Sequence, residues 1–363
     1  MSSLPATDKS SYPRGARLAG YLALAYVVLI VYASLIPFSG WRSPGLEIGS
    51  FLFVPWSRHI RRFDLFINFL AYVPLGLLLV LTLHSRMSTK SALVASVLCG
   101  FALSLVMETV QMFLPTRTSS ALDVLCNGLG GLTGAFIASR PGVRGLIANH
   151  LANFRDRWFY PGSLGDIGLV LLGLWFVSQA DPSLPLWGTF FFADNGGPNM
   201  REFSLLGMLS AMCNTIAIGL LCMLLMRSAK AAVIALLVVL LTASIIKLLA
   251  AAVLLKPQAL LQWLAAESII GISYGLVVVA ASPLLALRSV IRLCALALAV
   301  GIVIPYLGSN DPQSALTLFS WHYGHLLNFT GLARVIAELW PFAALGYLGL
   351  FFPKLRTQIR HRV

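Results

Sequence analysis

Residues 231–255 read AAVIALLVVLLTASIIKLLAAAVLL, with Lys247 as the one charge in the run. At 1.5 Å per residue a helix over this stretch is about 37 Å long, enough to cross a hydrocarbon core of about 30 Å. Lipid offers no hydrogen bonds, so such a run satisfies its own amides by coiling into a helix. Further runs of the same kind lie at 18–37, 65–83, 91–114, 121–138, 165–180, 204–226, 264–286, 289–307 and 332–352. The expected fold is all-α: a polytopic transmembrane helical bundle of about ten helices.

Composition agrees with that reading. The chain is 58% hydrophobic and only 11% charged, where soluble domains carry about 25% charged residues. A net charge of +13 invites a nucleic-acid reading. It fails, because the basic residues lie between apolar runs and not on one module. Cys99, Cys126, Cys213, Cys222 and Cys294 all fall inside apolar runs and read as small hydrophobes. The pair His322 and His325 has no third ligand at suitable spacing, so no metal and no cofactor are expected. The first run ends in Leu35-Ile36-Pro37-Phe38-Ser39-Gly40-Trp41 without a small-x-small cleavage site and reads as an uncleaved span.

The Lys and Arg residues set the expected orientation. With the N-terminus inside, the inner segments carry Lys9, Arg14 and Arg17, then Arg86 and Lys90, then Arg140, Arg144, Arg155 and Arg157. They also carry Arg227, Lys230, Arg288 and Arg292, and the basic tail Lys354, Arg356, Arg360 and Arg362. Both termini are therefore expected in the cytoplasm. One outer loop is basic too, holding Arg42, Arg58, Arg61 and Arg62 beside Phe51-Leu52-Phe53-Val54-Pro55-Trp56. Arg58, Arg61 and Arg62 form either an interfacial anchor on membrane lipid or an anion-binding loop for a phosphate headgroup.

Polar residues inside spans cost the most and need partners. Asp64 and Asn68 share a face at the start of the second run, and Glu108 and Gln111 share one at the end of the third. Asp123 and Asn127 open the fourth, after the turn Pro115-Thr116-Arg117-Thr118-Ser119-Ser120. Hairpin connection would gather Asp64, Asn68, Glu108, Gln111, Arg117, Asp123 and Asn127 near the outer boundary. That cluster is either a packing network or a ligand or catalytic site.

The ordered motifs Asp64-x-x-x-Asn68, Pro74-x-Gly76, Glu108-x-x-Gln111, Pro115-x-Arg117 and Asp123-x-x-x-Asn127 precede a Gly-rich tail. Together with Leu35-Ile36-Pro37-Phe38, this pattern over residues 20–138 resembles the VanZ-like family of bacterial membrane proteins. The resemblance implies a bacterial cytoplasmic (inner) membrane location. It also implies an association with the cell envelope, with polysaccharide functions and with low-level resistance to the glycopeptide teicoplanin. It implies no mechanism.

The expected organisation is a tail at 1–17, a four-helix domain at 18–140, a cytoplasmic linker at 141–163, a diverged second repeat at 164–287, two added helices at 288–352 and a basic tail at 353–363. In a parallel 4+4 internal repeat, Lys247 takes the place of Glu108, and Lys256 and Glu267 are further second-half counterparts. Lys247 would then pair with a carboxylate of the first half, while Arg334 and Glu338 would pair locally. Three functions are open: an envelope protein binding a lipid-linked glycan or lipoglycopeptide, a lipid flippase or transporter, and a membrane-embedded enzyme with Glu108 and Asp123 as acid and base. No nucleic-acid partner is expected, and the oligomeric state is not legible.

Overall fold

Apolar residues on the outward side of a helix mark lipid contact, and helix Ala229–Leu254 shows them plainly. It exposes Leu237, Val238, Leu241, Leu248 and Leu249 while burying Ala232, Leu236, Ala243, Lys247 and Ala251. A soluble amphipathic helix does the reverse. The computed structural model describes residues 14–36, 38–53, 62–160, 162–188, 203–261, 263–307 and 325–360. Among these, eight helices are long and apolar enough to cross a membrane. The chain is a polytopic helical membrane protein, and it folds as two units, Met1–Phe154 and Arg155–Val363.

The first unit holds α1 (Arg14–Leu35), α2 (Arg62–Leu83), α3 (Thr89–Gln111), α4 (Ala121–Ser139) and most of α5 (Pro141–Trp158). Helices α2 and α4 make the tightest crossing. A Cβ at Gly130 would run into the Phe69 carbonyl, one at Gly134 into the Val73 carbonyl, and one at Gly76 into the Gly131 carbonyl. Only glycine lets two backbones come this close. Pro74 interrupts the ladder of α2. The Tyr26 hydroxyl of α1 donates to the Ala71 carbonyl, in the turn before Pro74, at 2.8 Å.

The segment 141–163, expected to be a linker, is largely helical as α5. Arg144 ties its start to the α2–α3 turn by donating to Thr89 Oγ1 at 3.1 Å. The unit boundary falls within α5, after Phe154.

The second unit holds α6 (Ser163–Ser178), α7 (Leu205–Leu225), α8 (Ala229–Leu254), α9 (Ala266–Ala281), α10 (Leu287–Leu307) and α11 (His325–Arg360). Helix α7 is the buried axis, packed by α9 and α10, while α11 lies against α6 and α10. The two helices expected as additions are therefore built into this unit. Helix α6 is a short 16 residues, and α11 continues well beyond the expected run 332–352 at both ends.

The α2–α4 crossing has a counterpart here. A Cβ at Gly271 would meet the Met208 carbonyl, and one at Gly275 would crowd the Thr215 side chain and the Met212 carbonyl. Two glycines four apart on α9 thus face two carbonyls four apart on α7, as on α4 and α2. This register matches Gly271 and Gly275 to Gly130 and Gly134. The sequence spacing, with Asp123 and Gly131 eight apart as Glu267 and Gly275 are, instead aligns Gly275 with Gly131. Apolar residues slide past one another without changing the local pattern, whereas carbonyl contacts fix the register.

Candidate functional site

Helix α3 ends at Gln111, and its last turn and the following loop carry the chemistry of the first unit. Glu108 is buried, and its Oε2 accepts from the Ser120 amide at 2.9 Å. Ser120 is the N-cap of α4, and its own hydroxyl accepts from the Leu122 amide. A carboxylate at a helix N-terminus meets the positive end of the helix dipole. Ser119 closes the turn by donating to the Glu108 carbonyl at 2.6 Å.

Arg117 and Gln111 act at the opposite kind of helix end. Arg117 donates from Nη2 to the Ala33 carbonyl at 2.9 Å and from Nε to the Ile36 carbonyl at 3.1 Å. Gln111 donates from Nε2 to the Ser34 carbonyl at 2.8 Å. The last carbonyls of α1 have no amides of their own helix to bind, and a cation there is favoured by the dipole. Burial pulls the Arg117 guanidinium below its ordinary range, and nearby Glu108 pushes it back. An arginine so placed stays charged. Among the described residues its Nη1 has no acceptor, so one edge of the fork is open. Asp123 lies within electrostatic reach of Glu108.

A second, deeper group forms around Ser104 on α3. Asn127 donates to Ser104 Oγ at 2.9 Å, and Tyr72 of α2 lies within electrostatic reach of Ser104. The Asn127 Oδ1 is buried without a partner among the described residues. The seven residues expected as one cluster therefore divide. Glu108, Arg117 and Asp123 come together at the α3–α4 turn, Gln111 joins Arg117 on the end of α1, and Asn127 belongs to the Ser104 group. Asp64 and Asn68 open α2 half-buried, and Asp64 is engaged. Tyr72, Ser104 and the α1 carbonyls escape sequence reasoning because a hydroxyl or a carbonyl in an apolar run carries no pattern.

Of the basic outer loop, Arg58 and Arg61 lie outside the described residues, and Arg62 is the first residue of α2. Earlier in the loop, the Arg42 amide donates to the Phe113 carbonyl at 3.0 Å, and the Gly49 amide donates to Met112 Sδ at 3.5 Å. The loop is thereby pinned to the end of α3, and it exposes Trp41, Leu46, Ile48 and Phe53.

In the second unit, Lys247, expected to pair with a first-half carboxylate, has a partner within its own unit. Its Nζ donates to the Asp181 carbonyl at 2.7 Å. Arg334, expected to pair with Glu338, directs Nε to Asp181 Oδ2 at 3.2 Å instead; Glu338 stays within its electrostatic reach. The Asp181 side chain also accepts from the Ser183 amide at 3.0 Å. Lys256 is exposed at a 3-10 turn, and Glu267 is buried in the first turn of α9. Neither is bonded to Lys247. Arg155, expected in a cytoplasmic linker, is buried and paired with Asp166 at 2.8 Å. All five cysteines are free, with Cys99 exposed among the outward apolar residues of α3.

Comparison with known proteins bears on the first unit alone. Residues 16–144 match the family described as VanZ/LLP1. No curated protein matches the chain, and no solved structure does.

Proposed function

We propose that the protein, whose residues 16–144 match the family described as VanZ/LLP1, is a bacterial cell-envelope protein. In this reading it binds a lipid-linked glycan or lipoglycopeptide at the outer face of the cytoplasmic membrane. The observation that carries the reading is the pairing of a charged turn with an apolar lip. Arg117 is anchored on α1 with its Nη1 unmatched among the described residues, and Glu108 and Asp123 lie close by. Beside them the 38–53 loop exposes Trp41, Leu46, Ile48 and Phe53, which favour the headgroup layer and the acyl boundary. An amphiphile with an anionic or hydroxyl-rich head would meet both surfaces at once. The arginine fork suits phosphate or carboxylate. The charge bias of the segments read as inner favours an outward turn, which supports binding from the envelope side and a role in tolerance to glycopeptides such as teicoplanin.

Equilibrium binding of teicoplanin and of a polyisoprenyl diphosphate to the full chain in nanodiscs tests this. Arg117→Lys keeps the charge and loses the fork, so affinity for the diphosphate should fall about tenfold. A wild-type protein that binds neither probe, or a Lys variant that binds as tightly, rules the reading out.

The recurrent glycine-on-carbonyl crossing favours a second reading, a transporter built from parallel repeats. It requires lipid movement in reconstituted vesicles, and Lys247→Ala should slow that movement.

A further inference from the structure

The loop after α6 carries an oddity independent of the VanZ-like unit. Trp187 is fully buried, with 0% exposure, and sits at φ +58°. A bulky residue in the left-handed region is strained by about 1–3 kcal/mol, so its surroundings must hold it there. They do. The Leu186 amide donates to the Trp263 carbonyl at 2.7 Å, Asn214 Nδ2 donates to the Trp187 carbonyl at 2.9 Å, and the Trp175 ring stacks edge-on at 5.2 Å.

For all this anchoring, the Trp187 indole Nε1 has no hydrogen-bond partner among the described residues. Gln179, 3% exposed, shows the complementary defect. Its Nε2 donates to Ser178 Oγ at 3.1 Å, while its Oε1 is buried without a donor. Both residues line the same small cavity of about 10 Å³, together with Trp175, Trp340, Asn214 and Ala337. Burying one such atom costs about 1–3 kcal/mol. An unmatched donor on one lining residue and an unmatched acceptor on another give that cavity a specific chemistry.

We propose that this cavity is a binding site for a single hydroxyl oxygen, which accepts from Trp187 Nε1 and donates to Gln179 Oε1. The volume fits one water or one alcohol group and excludes an entire sugar ring. An ammonium has no lone pair for the indole, and a carboxylate has no proton for the amide oxygen. A neutral hydroxyl answers both. Its source is either water or the hydroxyl of a ligand, and the chemistry is the same.

The test uses the full chain with tryptophan indoles labelled with ¹⁵N. The indole proton of Trp187 should resonate downfield in the wild type and shift upfield in Gln179→Met, because loss of the acceptor releases the bridging oxygen. An unchanged resonance overturns the proposal. A cross-peak from that proton to water identifies water as the occupant, and one to the protons of an added alcohol such as glycerol identifies an alcohol-accepting site; a wild type with neither cross-peak overturns the proposal as well. Thermal unfolding adds an independent check. Gln179→Met and Trp187→Phe should each lower the Tm, and the double variant should lose clearly less than the two losses together, since they act through one oxygen. Strict additivity counts against a shared bridge. Teicoplanin binding is not part of either readout, so failure here leaves the proposed function standing.

Discussion

Arg117 directs two N–H groups at the open end of α1, and Gln111 adds a third. Hydrogen bonds from a charged donor contribute about 1.5–3 kcal/mol. Arg117→Gln should therefore lower the stability of the protein by a few kcal/mol, read as a fall in Tm in detergent, whether or not a ligand binds. Glu108→Gln keeps an acceptor for the Ser120 amide and should cost little. Glu108→Leu leaves that amide orphaned and should cost about 1–3 kcal/mol more. The second unit offers a sharper contrast. Asp181 accepts from Arg334 and from the Ser183 amide, so Asp181→Leu strands a cation and should cost about 3–5 kcal/mol. Lys247 is 1% exposed and donates to the Asp181 carbonyl. Lys247→Met removes a buried charge at similar volume, so its effect on Tm should be much smaller than that of Asp181→Leu. Equal losses would mean that the ammonium is held by more than that carbonyl. The carboxylates and arginines of these sites are legible in the sequence as costly residues in apolar runs. Their partners are not, because Asp181 lies 153 positions from Arg334 and 66 from Lys247.

At the scale of elements, the crossings of α2 with α4 and of α7 with α9 depend on the absence of side chains. Gly134→Val would drive a Cβ into the Val73 carbonyl, and Gly271→Val would do the same at Met208. Neither backbone can give way without parting the helices. Both variants should fail to accumulate as folded protein, measured by fluorescence size-exclusion profile. Gly100 on α3 has nothing within 4 Å of an added Cβ, so Gly100→Ala should be neutral or stabilising by up to about 1 kcal/mol. The glycine spacing on α4 is visible in the sequence. Its partner carbonyls are not, since every residue has one and only the register of two helices selects which are met. For the same reason the sequence echo points to a repeat in a register that the carbonyl contacts do not share. Helix α5 is hidden from a search for spans by its polarity, although Arg144 and Arg155 fix it at both ends.

For the whole molecule, orientation has the widest consequences. In a variant with its five cysteines replaced, Thr116→Cys in the α3–α4 turn should react with an impermeant maleimide on intact cells. Asn149→Cys on α5 should react only after the membrane is opened. The reverse pattern would put the Arg117 turn in the cytoplasm and end the case for an envelope ligand. The spans are legible from sequence alone because hydropathy is local: a run of apolar residues in lipid must close its own hydrogen bonds, whatever lies elsewhere in the chain. The charge bias between runs is local in the same sense. What tertiary structure alone decided is which polar groups meet. It placed Arg117 on the end of α1, moved Arg334 from Glu338 to Asp181, and set Trp187 and Gln179 on one cavity with a donor and an acceptor unmatched. Those outcomes turn on helix register and approach, which depend on small residues at crossings and leave no periodic trace in the chain.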